Sequence, residues 1–150
     1  TITDRNGKKL SPSSYEIIYK KTGKNVGTYQ AQINFRGDYT GSKMISYQIL
    51  PKNCSLRSVK AKKKSFTVRW KKLSTKMPTK RISGYQVQYS EKPNFSKSKI
   101  KKVSGYKKTS VTIKKLKSKK KYYVRIRTIL KSGGKTYYSN WSGSKGVKAK

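Results

Sequence analysis

Between Tyr122 and Thr128 apolar and polar side chains alternate: Tyr122, Val124 and Ile126 fall on one side, Tyr123, Arg125 and Arg127 on the other. Successive side chains of an extended chain point to opposite faces, so a period of two predicts a strand with one buried face. The same alternation predicts strands at Tyr15 to Tyr19, Thr28 to Phe35 and Lys43 to Leu50 in the first third of the chain. Beyond it, strands are expected at Leu56 to Ala61, Phe66 to Trp70, Ile82 to Tyr89, Ile100 to Val103 and around Val111 and Ile113. A broken last strand is expected over Tyr137 to Ser139 and Val147 to Ala149. Phe66, Val68 and Trp70 share an inward face, as do Tyr85, Val87 and Tyr89. Turn residues punctuate these runs at Asp4 to Gly7, Thr22 to Asn25, Gly37-Asp38, Pro78, Pro93, Gly105 and Gly133-Gly134. Pro51 stops ladder pairing after the third strand. The pattern is that of an all-β chain.

Composition sharpens this picture. Only 32% of the 150 residues are hydrophobic and the mean hydropathy is −0.93, values a disordered chain would share. The twelve Tyr, three Phe and two Trp are set into the alternation between turns. That placement predicts a folded chain, with long lysine stems covering apolar edges. The net charge is +36, from forty basic residues against four acidic ones. It is uneven: residues 1–52 carry a net of +6 and residues 53–150 a net of +30. Such a field attracts polyanions. Thirty-three of the forty cations are lysines, hydrated point charges that favour diffuse attraction over the planar, bidentate reading available to arginine. The single cysteine, Cys54, excludes an intrachain disulfide and leaves the compartment open. No apolar run reaches the roughly 18 residues a membrane-spanning helix needs, and no signal-peptide pattern opens the sequence. The opening TITDRNGKKL reads as the middle of a domain, so a fragment of a longer protein is expected.

Two resemblances follow from the motifs. The stretches DRNGKKL, YEIIY, NVGTY, INFRGDYTG and YQI, within residues 1–50, resemble an Ig-like repeat of large surface proteins from Gram-positive bacteria. That resemblance implies a small β module lacking its first strand, with an open sheet edge. In the remainder, Trp70, Tyr85, Leu116 and Tyr122 resemble, in order, the strand B tryptophan, strand C tyrosine, E–F leucine and corner tyrosine of a fibronectin type III domain. The corner assignment implies that the Tyr122 hydroxyl bonds to backbone upstream of it. Lys117-Ser118-Lys119-Lys120-Lys121 stands where that family usually has Pro-Gly, which leaves the turn type open. Together the resemblances imply two tandem β-sandwich-type modules: an incomplete Ig-like one at 1–51, a linker at 52–55, and a fibronectin type III-like domain at 56–150.

Candidate chemistry is sparse. There is no histidine, and Asp4, Glu16, Asp38 and Glu91 are scattered, so neither a nucleophile with its base nor a zinc cluster can be assembled from the sequence. The expectation is a non-enzyme with no cofactor and no metal. Arg36-Gly37-Asp38 spells an integrin-type signal, but Gly-Asp also supplies the freedom a hairpin turn demands. Lys131 to Thr136 (KSGGKT) superficially resembles a phosphate loop; it lacks the first glycine and lies between strands rather than before a helix. Cys54 beside cations would be reactive if exposed, and structural if buried. Ser139 to Gly143 (SNWSG) resembles half of the WSxWS signature of cytokine-receptor domains. It places Trp141 for stacking on Arg125 or Arg127, worth about 0.5–1 kcal/mol if exposed, or for service as a ligand platform. Trp141, Arg125, Arg127 and Tyr123 are therefore the candidate ligand-binding residues.

The function expected is a non-catalytic extracellular spacer or adhesion module of a bacterial cell-surface protein. Its partners would be anionic cell-wall polymers such as teichoic acid, acidic host glycans, or host surface proteins. The alternatives are a nucleic-acid binder that relies on counterion release and so is salt-sensitive and non-specific, and a protein-recognition module docking on the open edge or on Trp141. Set against all three is the reading of the lysines as a solvated face that keeps strand edges apart.

Overall fold

A computed structural model describes residues 1–20 and 23–150. The chain divides into two compact units, Thr1–Ile49 and Leu50–Lys150. In both, the regular structure is antiparallel β-sheet, with one short 3-10 helix at Pro12–Ser14 that the alternation did not predict.

The first unit is built on β1 (Tyr15–Tyr19), β2 (Gly27–Phe35) and β3 (Ser42–Ile49), paired in the order β1-β2-β3. The turn expected at Thr22 to Asn25 lies partly outside the described residues. Register sets Ile17 opposite Ile33 and Tyr19 opposite Ala31, and Ala31 in turn opposite Ile45. Directly paired residues share a face, so the apolar set of each strand converges on one side of the sheet. Ala31 and Ile33 are buried there, and Leu10 and Val26 are also buried in this unit. The Asp4 turn has a local cause: its carboxylate accepts the N–H groups of Asn6 and Lys8, each at 2.9 Å, while Gly7 takes a φ of 81°.

The second unit has two sheets. β4 (Leu56–Lys62), β5 (Ser65–Trp70) and β8 (Ser110–Ile113) form one, in the order β4-β5-β8. The other runs β10-β9-β6-β7, with β11 also on β9. Its members are β6 (Gly84–Ser90), β7 (Lys99–Ser104), β9 (Lys121–Ser132), β10 (Lys135–Tyr138) and β11 (Lys145–Lys148). Phe66, Val68 and Trp70 from one sheet and Tyr85, Val87, Val124 and Ile126 from the other are at most 1% exposed. These alternating positions are the core, and fully burying each large apolar side chain contributes about 1.5–3 kcal/mol. Ring contacts tie the sheets together: Trp70 on Tyr85 at 5.1 Å and Phe66 on Tyr122 at 5.9 Å.

Strand β9 runs on to Ser132, beyond the Thr128 expected from alternation. Its extension follows from the turn after it. Gly133 and Gly134 adopt φ of 55° and 72°, the left-handed pair that a two-residue hairpin needs, so Lys135 pairs directly with Ser132. Strand β6 starts at Gly84, two residues after the expected Ile82. Gly84 is required by close approach, because a Cβ there would collide with the carbonyl oxygen of Val103 on β7.

The segment 52–55, expected as a linker, lies within the second unit. The buried Thr128 hydroxyl donates to the Lys52 carbonyl at 2.9 Å, and Cys54 is buried. One buried side chain, Cys54, and one satisfied carbonyl, that of Lys52, lead into β4.

Candidate functional site

The outward face of β9 carries the ladder. Arg125 and Arg127 are two residues apart, so both guanidiniums leave the same side of the sheet. Arg125 Cζ lies 4.1 Å from the Phe95 ring centroid and 4.8 Å from that of Trp141. Arg127 Cζ lies 4.3 Å from Trp141 and 4.0 Å from Tyr138. Rings and cations thus alternate in the order Phe95, Arg125, Trp141, Arg127, Tyr138. Neighbouring β6 fixes the cations from below: Arg125 Nε donates to Gln88 Oε1 and Arg127 Nε to Gln86 Oε1, each at 2.6 Å. Burial pulls the pKa of both guanidiniums downward; for Arg127 the charge of Arg125 adds to this and Tyr138 opposes it. Both remain cations, since an arginine starts so far above neutrality.

Of the four candidate ligand-binding residues, the structure brings Trp141, Arg125 and Arg127 together. Tyr123 stands apart, with Lys121 Nζ 5.3 Å from its ring centroid. Phe95 and Tyr138 were not foreseen, although Tyr138 pairs with Ile129 in β10 only a few residues from Trp141 in sequence.

The serines around Trp141 explain why the last strand is broken. Ser139 Oγ accepts the Thr128 N–H at 3.0 Å and donates to the Asn140 carbonyl at 2.8 Å. Ser142 Oγ accepts the Ile126 N–H at 3.1 Å and donates to the Gly143 carbonyl at 2.8 Å. The two hydroxyls thus stand in for strand carbonyls between β10 and β11, so β9 keeps its donors satisfied while the chain bulges outward to carry Trp141.

The structural residues fall as follows. Tyr122 is 5% exposed, and its hydroxyl accepts the Lys117 N–H at 3.1 Å, five residues upstream. Leu116 is buried and its N–H bonds the Lys64 carbonyl at 3.0 Å. The Tyr85 hydroxyl donates to the Tyr106 carbonyl at 2.9 Å and accepts the Leu73 N–H at 3.1 Å; burial raises its pKa, partly offset by the Leu73 bond. Trp70 lies in the core beside it. In and just before the lysine-rich E–F turn, Lys119 and Lys115 adopt φ of 60° and 58°, so non-glycine residues carry the left-handed geometry.

Other candidates resolve in the same way. Burial raises the Cys54 thiol to about 12, so the neighbouring cations do not activate it. Arg36 bonds Glu16 of β1, and Gly37 has a φ of 69° in the hairpin between β2 and β3. KSGGKT is the β9–β10 hairpin. Among the described residues no group of three or more metal-ligating side chains forms, and no helix is long and apolar enough to cross a membrane.

Two facing sheets, a corner tyrosine and a tryptophan on a five-member cation–π ladder define an all-β sandwich module. A family model for the fibronectin type III domain matches residues 51–144, more than half of the chain, and the chain belongs to that family. Solved structures agree on the fold. The FN1–FN3 domains of chicken CNTN1 superpose with a TM-score of 0.55 at 19% identity, over 84% of this chain and 44% of that one. The third fibronectin III domain of the human KIAA0343 protein gives 0.51 at 19% identity, over 63% of this chain and 78% of that one. No curated protein matches the chain. Fibronectin type III domains serve generally as spacers or in protein–protein recognition.

Proposed function

We propose that the chain is a non-catalytic spacer or adhesion segment of a bacterial cell-surface protein, and that it holds anionic cell-wall polymers or acidic host glycans. The observation that carries this reading is the net +30 on residues 53–150, set on a fold that is itself a recognition or spacer module. In this reading residues 1–51 are an incomplete Ig-like repeat of the kind found in Gram-positive surface proteins, in tandem with the fibronectin type III domain. Its support is the motif order DRNGKKL to YQI and a three-stranded sheet with an apolar face.

Within this reading the ladder is a brace rather than a platform. The faces of Trp141 already have two guanidiniums over them, which leaves little ring surface for a sugar or base. Non-specific nucleic-acid binding is the second reading, and the same charge favours it. The test is binding of the whole chain to teichoic acid, a heparin-like glycan, single-stranded DNA and neutral mucin sugars across ionic strength. A polyanion retained at about 0.15 M salt, where screening acts over roughly 8 Å, supports the proposal. Equal release of every anion by that salt defeats it and leaves a spacer whose lysines are a solvated coat.

A further inference from the structure

At one end of the second unit, the β6–β7 loop, which also carries Phe95 of the ladder, and the segment between β8 and β9 enclose a cleft of about 530 Å³. That is within the range of small-ligand sites, roughly 300–1,000 Å³. Lys92, Lys97 and Lys99 line it from the first side, and Lys114, Lys115 and Lys117 from the second. The one carboxylate in the lining, Glu91, is 3.7 Å from Lys117 Nζ, so the six cations against one anion leave a net of +5 on the cleft. On each side one lysine sits on left-handed backbone: Lys97 at φ 51° and Lys115 at φ 58°. Ser96 also lines the cleft; its Oγ is buried and has no hydrogen-bond partner among the described residues.

We propose that this cleft binds the phosphate groups of a linear sugar- or polyol-phosphate polymer. The proposal rests on the polyanion reading above and locates its site. Ammonium groups on rotatable stems suit tetrahedral phosphates, which do not need arginine's planar fork. The floor argues against nucleic acid. Tyr122 is buried and half-buried Tyr89 meets Phe66 at 6.0 Å between centroids, so the floor offers at most one partly covered ring, whereas single-strand binders stack successive bases on several aromatic side chains.

The test compares three versions of the 150-residue chain: the natural one, K92Q/K99Q/K114Q, and a control, K60Q/K62Q/K148Q, that loses the same charge elsewhere on the unit. Calorimetric titration with poly(glycerol phosphate), inorganic phosphate and single-stranded DNA is run at about 0.15 M ionic strength. The cleft variant weakens poly(glycerol phosphate) binding at least about tenfold, against about twofold or less for the control, a gap of roughly 1 kcal/mol. Titration of the natural chain shifts the amide signals of Ser96 and Leu116 but not the indole signal of Trp141. Equal weakening of both variants overturns the cleft and leaves the polyanion reading standing. No binding by the natural chain at that salt defeats the polyanion reading itself. Single-stranded DNA showing the same dependence on the cleft lysines, or inorganic phosphate binding as tightly as the polymer, overturns the ligand class.

Discussion

At the scale of single residues, the second unit depends on hydroxyls that answer backbone groups. Tyr122 is the clearest case, because its ring fills the core while its oxygen holds the Lys117 N–H. Replacing it with phenylalanine keeps the ring and removes the acceptor. Tyr122→Phe is expected to destabilise the unit by about 1 kcal/mol or more; chemical denaturation checks this, and an unchanged midpoint would sink the corner role. Cys54 makes the opposite point about reactivity. Its thiol pKa is about 12 in the folded state, against about 8.5 for an ordinary cysteine. The folded state therefore keeps a proton that the unfolded chain loses. The stabilising contribution is complete below about pH 8.5 and falls as pH climbs through the window toward 12. At pH 8 a maleimide is expected to label Cys54 slowly in the native protein and rapidly in denaturant, and equal rates would show the thiol to be open.

At the scale of elements, β9 is the organising strand. It pairs with β6 along one side and with β10 and then β11 along the other. The interval between its last two partners is bridged by Ser139 and Ser142. Ser142→Ala removes the acceptor of the Ile126 N–H and is expected to cost about 1–2 kcal/mol, with faster hydrogen exchange at Ile126 as the readout. Trp141→Ala breaks the ladder at its centre; with two cations over the ring, a loss of about 1–2 kcal/mol is expected. Gly84→Ala forces β6 from β7 at the Val103 carbonyl and should cost about 1–3 kcal/mol, read as a lowered thermal midpoint. Much of this strand was legible beforehand, since alternation from Tyr122 to Ile126 is a local signal set by burial on one side. So was the meeting of Trp141 with Arg125 and Arg127, because a motif carried it. Phe95 was not legible: it reaches the ladder from the β6–β7 loop, with a φ of 59°, and no period links a loop residue to a strand thirty positions away in sequence. The roles of Ser139 and Ser142 escaped for a related reason. A serine reads as turn or surface until the register of the neighbouring strand shows which N–H lacks a carbonyl.

At the scale of the molecule, charge and fold are unequally distributed. The second unit carries most of the cations, and any polyanion affinity is expected to reside in residues 53–150. Binding by residues 1–52 as strong as that of the whole chain would contradict this, measured by salt-dependent titration of a heparin-like glycan. The cleft lysines were visible in the sequence only as part of a general excess. Lys92, Lys97 and Lys99 precede Lys114, Lys115 and Lys117 by many positions, and only the packing of two sheets brings the groups to one opening. The 52–55 segment, expected as a linker from its place after the third strand, has its backbone anchored by Thr128, and Cys54 within it is buried.

The closing residues of the second unit are stitched across its base. Lys150 donates to the Lys62 carbonyl at 3.2 Å and accepts from the Lys64 N–H at 2.7 Å, while Ala149 and the E–F turn exchange bonds at 2.9 and 3.0 Å. Strand β4 begins at Leu56, opposite Trp70, and these final bonds lie at the Lys62 end of the same strand. Tension between Leu50 and Lys150 therefore runs along β4 and β11, at right angles to the antiparallel ladder bonds that hold them. Loaded in that direction, those bonds share the force instead of peeling one by one, so pulling the unit by these ends is expected to break it in a single cooperative step.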